Sequence, residues 1–178
     1  MGKTAIIIGA TGLTGGLLLQ GLLEDNRYQK IKLLSRNPCS IKHPKIEEHL
    51  IDLFELEKQQ HLFIADEVFC CIGTTKAKTP NEEQYLKIDY AIPATLAQLC
   101  KKMGIHTLLV ISALGANKNS KIFYNRTKGR MEEEVLRNKI KNTYILQPSL
   151  IGGIRNEKRL GEKIAKLFMS VLNPFLIG

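Results

Sequence analysis

The sequence has no long apolar run, no tryptophan and few aromatic residues. No stretch of about 20 uncharged apolar residues occurs, and no cleavable apolar signal precedes the first buried segment, which begins at Ala5. Aromatic residues make up 6% of the chain, without a stacking motif or a helix-turn-helix pattern. We therefore expect a soluble, cytoplasmic protein that binds neither a membrane nor a nucleic acid.

Metal-binding and redox-active spacings are also missing from the sequence. The four cysteines form no CxxC pair, and the four histidines are scattered along the chain. The sequence therefore predicts no metal site and favours free, buried thiols in a reducing compartment. These residues are Cys39, Cys70, Cys71, Cys100, His43, His49, His61 and His106.

Positive charge is concentrated in the C-terminal part of the sequence. The net charge is +9, and residues 118–166 hold 13 Lys or Arg against 5 Glu, which places +8 there and +1 in the remainder. Such asymmetry suits an anionic cofactor or an acidic protein partner, and the alternative is a solvated helix face whose lysines serve solubility.

Short apolar segments alternate with longer segments of helical periodicity. Strands are predicted at residues 5–8, 32–34, 46–51, 68–72, 107–111 and 144–146, and helices at 14–23, 82–103 and 124–138, with a shorter one at 54–61. This alternation predicts an α/β fold with a doubly wound parallel sheet, order 3-2-1-4-5-6, in three α/β/α layers. We expect one Rossmann domain over residues 1–178, with its most mobile loop at 74–81.

A glycine-rich loop joins the first predicted strand to the first predicted helix. Gly9 permits a tight turn, Gly12 lets the backbone approach a pyrophosphate, and Gly15 lets the helix sit close to the sheet. Amide groups and the positive end of the helix then face the phosphates. A plain tight turn is the alternative, but the strand–loop–helix context favours dinucleotide binding.

The residues after the second predicted strand favour NADP(H) over NAD(H). NAD-preferring proteins place an acid about 20 residues beyond the glycine loop, whereas here the strand ends LLSRNP without one. Ser35 can donate its hydroxyl to a 2′-phosphate, and Arg36 offers a planar fork for its oxygens. The alternative is that Arg36 is an ordinary solvated arginine.

Several segments together resemble one protein family. GATGLTG has the GxxGxxG spacing and resembles the extended and atypical branches of the short-chain dehydrogenase/reductase superfamily. The segments CCIGTTKAKTPNEEQYLKIDY, SALGANKNSKIFYNRTKGRMEEEV and QPSLIGG resemble the Tat-interacting oxidoreductase group of its atypical members. This resemblance covers nearly the whole chain.

The resemblance implies further cofactor contacts. Asp52 lies where the family's acidic residue contacts the adenine, Lys128 would hold the nicotinamide ribose, and the backbone at 73–74 and the segment 148–151 would flank the cofactor. The expected cofactor-binding set is Gly9, Thr11, Gly12, Leu13, Thr14, Gly15, Ser35, Arg36, Asp52, Leu53, Gly73, Thr74, Lys128, Pro148, Leu150 and Ile151.

Ser112, Tyr124 and Lys128 form the expected catalytic set. Tyr124 and Lys128 are a YxxxK pair on one helix face, and Ser112 follows the fifth strand at the carboxyl edge of the sheet. A tyrosine can protonate a developing alkoxide, an ammonium can lower its pKa, and a serine can fix the carbonyl oxygen, roles that the resemblance also implies. The alternative is a chance contact on a helix surface. Asp89 stands where many superfamily members have a structural asparagine, and we do not expect it to be catalytic.

The leading hypothesis is an NADP(H)-dependent reductase of a small carbonyl compound, with Tyr124 as proton donor. The alternative is a dinucleotide-binding, redox-sensing regulatory protein with little turnover, whose basic surface binds a partner. For a nucleotide-sugar epimerase, the chain is too short to include that branch's substrate domain.

We expect the end of the chain to lack elements that the resembling proteins usually have on the substrate side. One basic helix is predicted at 160–172, and the chain ends at PFLIG. We expect an apolar patch there that is exposed, covered by a second subunit in a homodimer, or covered by residues absent from this chain. Its residues are Phe168, Leu172, Phe175, Leu176 and Ile177.

Overall fold

Six parallel strands form one sheet in the computed structural model, which describes residues 2–149. The strands are β1 (Lys3–Ile8), β2 (Tyr28–Ser35), β3 (Ile46–Leu50), β4 (Glu67–Cys70), β5 (Thr107–Ile111) and β6 (Asn142–Leu146). Their order is β3-β2-β1-β4-β5-β6, and every neighbouring pair is parallel. The predicted strand order and the doubly wound α/β class are confirmed.

Four strands, β1, β2, β4 and β6, begin earlier than their apolar pattern indicates, and two of these starts have a clear cause. Tyr28 opens β2 and Glu67 opens β4, and both side chains are buried. The hydroxyl of Tyr28 donates to Glu67, which also pairs with the ammonium of Lys3 at 2.7 Å. Because these polar groups satisfy one another, they can be buried at the amino ends of the strands, and a search for apolar runs misses them.

The helices lie between the strands as expected, with two differences in type. They are α1 (Leu13–Glu24), a 3₁₀ segment (Leu53–Leu62), α2 (Glu82–Leu86), a π-helical turn (Lys87–Ala91), α3 (Ile92–Lys102) and α4 (Phe123–Arg137). The short helix predicted at 54–61 is therefore 3₁₀, with non-helical angles at Glu55 and Gln59. The long helix predicted at 82–103 is interrupted by the π turn.

The π turn has a local cause in the sequence. Pro93 lies in the first turn of α3 and has no amide proton, so an α-helix running through it would leave the carbonyl of Asp89 without a partner. The amide of Ile92 instead reaches back five residues to the carbonyl of Lys87. The wider turn places Asp89 in the interior, where it is fully buried.

The core lies on both faces of the sheet. On one face, α1 packs through residues such as Leu18 and Leu19 against Ala5 and Ile7 of β1. On the other face, residues of the 3₁₀ segment, α3 and α4 pack against Ile6 and the alternate residues of β4 and β5. Between residues 2 and 149, no helix has the length and apolarity needed to cross a bilayer. The predicted helix at 160–172, the apolar patch, Leu150 and Ile151 lie outside the described residues.

Candidate functional site

The glycine-rich loop forms a tight turn between β1 and α1. Gly9 has a φ of 91°, which favours glycine, and a Cβ there would lie 2.8 Å from the carbonyl oxygen of Cys71. The amide of Gly12 donates to the carbonyl of Gly9 at 3.0 Å and closes the turn. A Cβ on Gly15 would lie 2.2 Å from the same carbonyl oxygen. Gly9 thus makes the turn, and Gly15 lets the helix pack against it.

The N-terminus of α1 offers free donors to an anion. Gly12 precedes the first helical residue and has no side chain that could accept hydrogen bonds from the first-turn amides. No acidic residue lies in that turn. The amide groups and the positive end of the helix dipole are therefore available to a phosphate.

An open cleft of about 460 Å³ lies at the carboxyl ends of β1, β2 and β4. This is the switch point of the sheet, since β1 is followed on one side by β2 and on the other by β4. Among the described residues that line it, Arg36 and Lys78 are cationic and none is acidic. The lining residues are Gly9, Thr11, Gly12, Ser35, Arg36, Asn37, Leu53, Cys71, Ile72, Gly73, Thr74, Lys78, Thr79, Gln84 and Ile88.

Eight of the expected cofactor-binding residues line this cleft. They are Gly9, Thr11, Gly12, Ser35, Arg36, Leu53, Gly73 and Thr74. Leu13, Thr14 and Gly15 lie in the first turn of α1, just behind the loop. These placements, the two cations and the glycine cradle together fit a dinucleotide with its phosphates at the N-terminus of α1.

The remaining expected contacts have other partners in the described structure. Asp52 caps the 3₁₀ segment by accepting the amide of Phe54 at 2.9 Å, and its side chain is exposed outside the cleft. The carbonyl of Pro148 accepts the amide of Leu114 at 2.9 Å. Neither residue lines the cleft.

Sequence reasoning missed several residues of the cleft wall. Cys71 and Ile72 follow directly after β4, so the carboxyl end of that strand was the available signal. Asn37 follows Arg36 and could have been found in the same way. The other missed residues, Lys78, Thr79, Gln84 and Ile88, come from a loop and a helix whose approach to the cleft follows no motif.

Ser35 and Arg36 differ in their availability to a phosphate. Ser35 is buried, and its hydroxyl donates to the carbonyl of Asn37 at 2.7 Å. Its proton is thus used to shape the loop after β2. Arg36 is exposed and forms no ion pair within residues 2–149, so its guanidinium is the freer group.

Lys128 is held inside the protein by a buried carboxylate. Its ammonium lies 2.8 Å from Oδ1 of Asp89 and 3.4 Å from the carbonyl oxygen of Ile111, and both charged side chains are at most 5% exposed. The other carboxylate oxygen of Asp89 accepts the amide of Thr74 at 2.8 Å. A Cβ on Gly73 would lie 3.9 Å from the Lys128 ammonium, so Lys128 lies directly behind the cleft wall.

Tyr124 lies one turn before Lys128 on α4, half-buried. Burial raises the pKa of its phenol, Lys128 acts in the opposite direction, and Asp89 adds to the increase. The sequence reasoning expected the ammonium to lower this pKa, whereas the net change is upward because burial dominates. Tyr124 is therefore a neutral phenol at physiological pH, the form that can donate a proton.

Ser112 faces a different partner from the one expected. It is 3% exposed, its amide continues the sheet by donating to Leu146, and its hydroxyl donates to the carboxylate of Glu132. Glu132 also accepts the side-chain amide of Gln147 at 2.8 Å. Within residues 2–149, no hydrogen bond links Ser112 to Tyr124.

The loop at 74–81 is anchored at several points beside the cleft. The hydroxyls of Thr74 and Thr79 are 2.8 Å apart, and Lys76 forms an ion pair with Glu82 at 2.8 Å. The Lys76 ammonium also lies 4.8 Å from the ring centroid of Phe123, the first residue of α4. The expected mobility of this loop stays a prediction.

Residues 9–156 match the NAD(P)H-binding family. Protein FMP52, mitochondrial, of Debaryomyces hansenii is 31% identical over 159 residues, which cover 88% of this chain and 70% of that protein. Protein HTATIP2 of Rattus norvegicus is 29% identical over 174 residues, which cover 96% of this chain and 72% of that protein. These matches confirm the resemblance found in the motifs.

Solved structures show the same architecture. A nucleoside-diphosphate-sugar epimerase from Agrobacterium tumefaciens superposes with a TM-score of 0.70 at 16% identity, over 90% of this chain and 57% of that one. MoeE5 in complex with UDP-glucuronic acid and NAD gives 0.67 at 18% identity, over 81% and 54%. This chain thus spans just over half the length of these proteins, and the likeness establishes the fold. With its glycine cradle, cationic cleft and family match, the chain belongs to the NAD(P)H-binding family, as an atypical Rossmann protein similar to the short-chain dehydrogenases/reductases.

Proposed function

We propose that this protein is an NADP(H)-dependent reductase of small carbonyl compounds, with Tyr124 as the proton donor. The observation that carries the proposal is the position of Lys128. Its ammonium lies directly behind Gly73 on the wall of the dinucleotide cleft, and Tyr124 precedes it by one turn of α4. A cation behind the cleft wall with a phenol one helical turn away supports a role for the pair in reduction.

Each residue has a defined role in this reaction. A bound nicotinamide supplies the hydride that reduces the carbonyl carbon. Tyr124 transfers its phenolic proton to the carbonyl oxygen as negative charge develops there. Lys128 has three N–H donors, of which the carbonyl of Ile111 accepts one, and its ammonium is paired by charge with Asp89, so a donor is left for a ribose hydroxyl. Ser112 would position the carbonyl oxygen, which requires its hydroxyl to leave Glu132.

The cofactor is NADP(H) in this proposal, with NAD(H) bound more weakly. Arg36 provides a cation at the end of β2, and Lys78 lines the same cleft. A carboxylate at this place would repel a 2′-phosphate, and none lines the described part of the cleft. Since the hydroxyl of Ser35 already donates to the carbonyl of Asn37, we assign the preference for a cofactor with a 2′-phosphate to Arg36.

Two measurements test the proposal. Fluorescence titration should give at least about tenfold tighter binding of NADPH than of NADH at low salt, and Arg36→Ala should remove most of that difference. NADPH oxidation is then followed over a panel of aldehydes, ketones and quinones. Tyr124→Phe should bind NADPH as the wild type does, and its turnover should be lower by a factor of about 10² or more. Equal affinities for the two cofactors, or full turnover by Tyr124→Phe, would contradict it.

A second candidate is a dinucleotide-binding, redox-sensing regulatory protein with little turnover. The contact between Ser112 and Glu132 favours it, because the hydroxyl expected to fix a carbonyl oxygen is engaged elsewhere. In that case NADPH binds stoichiometrically and no carbonyl compound of the panel is reduced. Ser112→Ala then leaves the rate of NADPH oxidation unchanged. For the reductase, Ser112→Ala lowers turnover.

Partners and location follow from the same proposal. The reductase acts on a small-molecule carbonyl substrate in the cytoplasm, as a single domain that forms a homodimer if the apolar C-terminal residues are covered by a second copy. The basic C-terminal surface would serve an acidic protein partner in the regulatory alternative. Analytical ultracentrifugation of the purified chain tests the dimer.

A further inference from the structure

Asp89 connects two parts of the site that the motifs treat separately. One carboxylate oxygen accepts the amide of Thr74, on the cleft wall, and the other lies 2.8 Å from the ammonium of Lys128 on α4. The side chain of Asp89 is 1% exposed and that of Lys128 is 5% exposed. The π turn before Pro93 makes this possible, since it carries Asp89 into the interior between the cleft wall and α4.

Asp89 and Lys128 form a close ion pair without a well-directed hydrogen bond between them. Oδ1 of Asp89 approaches the ammonium at 2.8 Å without accepting a well-directed hydrogen bond from it, and no other group in the described structure donates to this oxygen. A buried carboxylate oxygen in this state is held mainly by charge. The negative charge of Asp89 therefore offsets part of the positive charge of Lys128. The YxxxK motif considered alone would leave that positive charge to act on Tyr124.

We propose that Asp89 is a positioning residue of the reductase site, which ties Lys128 to the cleft wall at Thr74 and offsets part of the charge that Lys128 would otherwise direct at Tyr124, the proposed proton donor. The inference rests on the proposed function for its catalytic meaning. It assigns to Asp89 a role that an asparagine at this place would not perform, because an amide could accept from Thr74 but could not neutralise Lys128.

The groups around Tyr124 act together on its protonation. Asp89 faces it from the π turn, Tyr85 from α2, Lys128 from its own helix, and Cys70 lies near the ion pair at the end of β4. Lys128 is the cationic group among them, and burial keeps Tyr85 and Cys70 neutral. Lys128 is the group in this set that favours a phenolate at Tyr124, and Asp89 offsets part of its effect.

The test is a pH titration of Tyr124 in the protein without cofactor or substrate. The protein carries ¹³Cζ-labelled tyrosine, and the Tyr124 resonance is assigned by its loss in Tyr124→Phe. In the wild type we expect a midpoint above pH 10, the ordinary tyrosine value. In Asp89→Asn, which keeps the shape and the acceptor for Thr74, we expect the midpoint to fall by about 1 pH unit or more, because Lys128 then stabilises the phenolate.

The matched control removes the cation instead of the carboxylate. Lys128→Met should raise the Tyr124 midpoint, because the ammonium is the group that favours the phenolate. An unchanged midpoint in Asp89→Asn, or in Lys128→Met, overturns the proposal. If Asp89→Asn does not fold, Asp89→Ser, which also removes the charge and leaves an acceptor, is titrated against the same two outcomes.

The titration and the activity assay fail independently. A protein with the expected Tyr124 midpoints that reduces no carbonyl compound would overturn the reductase assignment while leaving the Asp89–Lys128–Tyr124 coupling intact. An active reductase whose Tyr124 midpoint ignores Asp89→Asn would overturn the role of Asp89 alone. In an active enzyme, Asp89→Asn should also move the alkaline limb of the reduction rate to lower pH, in step with the Tyr124 midpoint.

Discussion

Gly15 and Gly16 are adjacent in α1, yet their surroundings differ enough to make a matched pair of substitutions. A Cβ on Gly15 would lie 2.2 Å from the carbonyl oxygen and 2.7 Å from the carbonyl carbon of Gly9. These are backbone atoms of the phosphate-binding turn, so either the turn or the helix must move. A Cβ on Gly16 would have its nearest neighbour, the carbonyl oxygen of Ala10, at 3.4 Å, an ordinary contact.

The expected free energies of unfolding follow from these distances. Alanine in place of glycine inside a helix stabilises by about 0.8–1 kcal/mol, and Gly16→Ala should gain most of this. Overpacking at Gly15 costs about 1–3 kcal/mol or more, because backbone must shift, and this outweighs the helical gain. Since the helical gain is common to both variants, we expect them to differ by roughly 1–3 kcal/mol, a gap in Tm of roughly 2–12 °C for a chain of this size.

Urea and thermal denaturation measure this gap, and NADPH titration measures its consequence for binding. Gly15→Ala should bind NADPH at least about tenfold more weakly, because the shift displaces the amides that face the phosphates, whereas Gly16→Ala should bind as the wild type does. Equal stabilities for the two variants would refute the claim that Gly15 is needed for close packing. Equal NADPH affinities would refute the link between that packing and the phosphate site.

Three further expectations come from other parts of the described structure. Gly129→Ala on α4 should lower the free energy of unfolding by about 1–3 kcal/mol in urea denaturation, because its Cβ would lie 2.2 Å from the backbone nitrogen of Lys118. Lys128→Met should cost about 3–5 kcal/mol at neutral pH, since it leaves the Asp89 carboxylate buried without its partner, and adding Asp89→Asn should restore part of the loss. Burial raises the pKa of the Cys70 thiol from 9.0 to about 12, so its contribution to stability is complete below pH 9 and is lost as the pH rises toward 12. Unfolding of Cys70→Ala, followed over this range, should therefore show a slope against pH that is smaller by up to about 1.4 kcal/mol per unit.

The sheet and the phosphate loop could be predicted because they depend on local patterns. Buried parallel strands read as short apolar runs, and the loop between β1 and α1 carries its function in the glycine spacing itself. Strand starts at Tyr28 and Glu67 were missed because these residues are polar and satisfy each other across 39 positions of sequence. The π turn is not predicted, because the helical spacing of apolar residues over 82–103 continues through Pro93. The signal for the turn is the missing amide proton of that proline.

The surroundings of Ser112, Tyr124 and Lys128, the proposed catalytic residues, could be predicted only in part, for a related reason. A YxxxK spacing places Tyr124 and Lys128 on one face of α4, but the charge that acts on them comes from Asp89, 39 residues before Lys128. Ser112 has the expected place at the end of β5, and its hydroxyl is taken by Glu132, on the helix that packs against that strand. Sequence spacing identifies candidate residues of such a site. Their protonation and orientation depend on other charged and hydrogen-bonding side chains that the fold brings next to them.

The basic segment of the sequence and the cations on the described cleft wall are in different parts of the chain. The excess of +8 lies at residues 118–166, whereas the cations on the described cleft wall, Arg36 and Lys78, lie outside that segment. Within its described part, Lys118 pairs with Glu133 of α4 at 2.7 Å, and Arg137 pairs with Glu134 on the same helix at 2.7 Å. Exposed pairs of this kind contribute about 0–1 kcal/mol each, so they leave the surface solvated and its long-range field largely positive. Among the described residues, the cations that line the cleft are therefore Arg36 and Lys78, beside the N-terminus of α1, with Lys128 behind the wall. An acidic protein partner for the basic segment stays a prediction, with a solvated surface as its alternative.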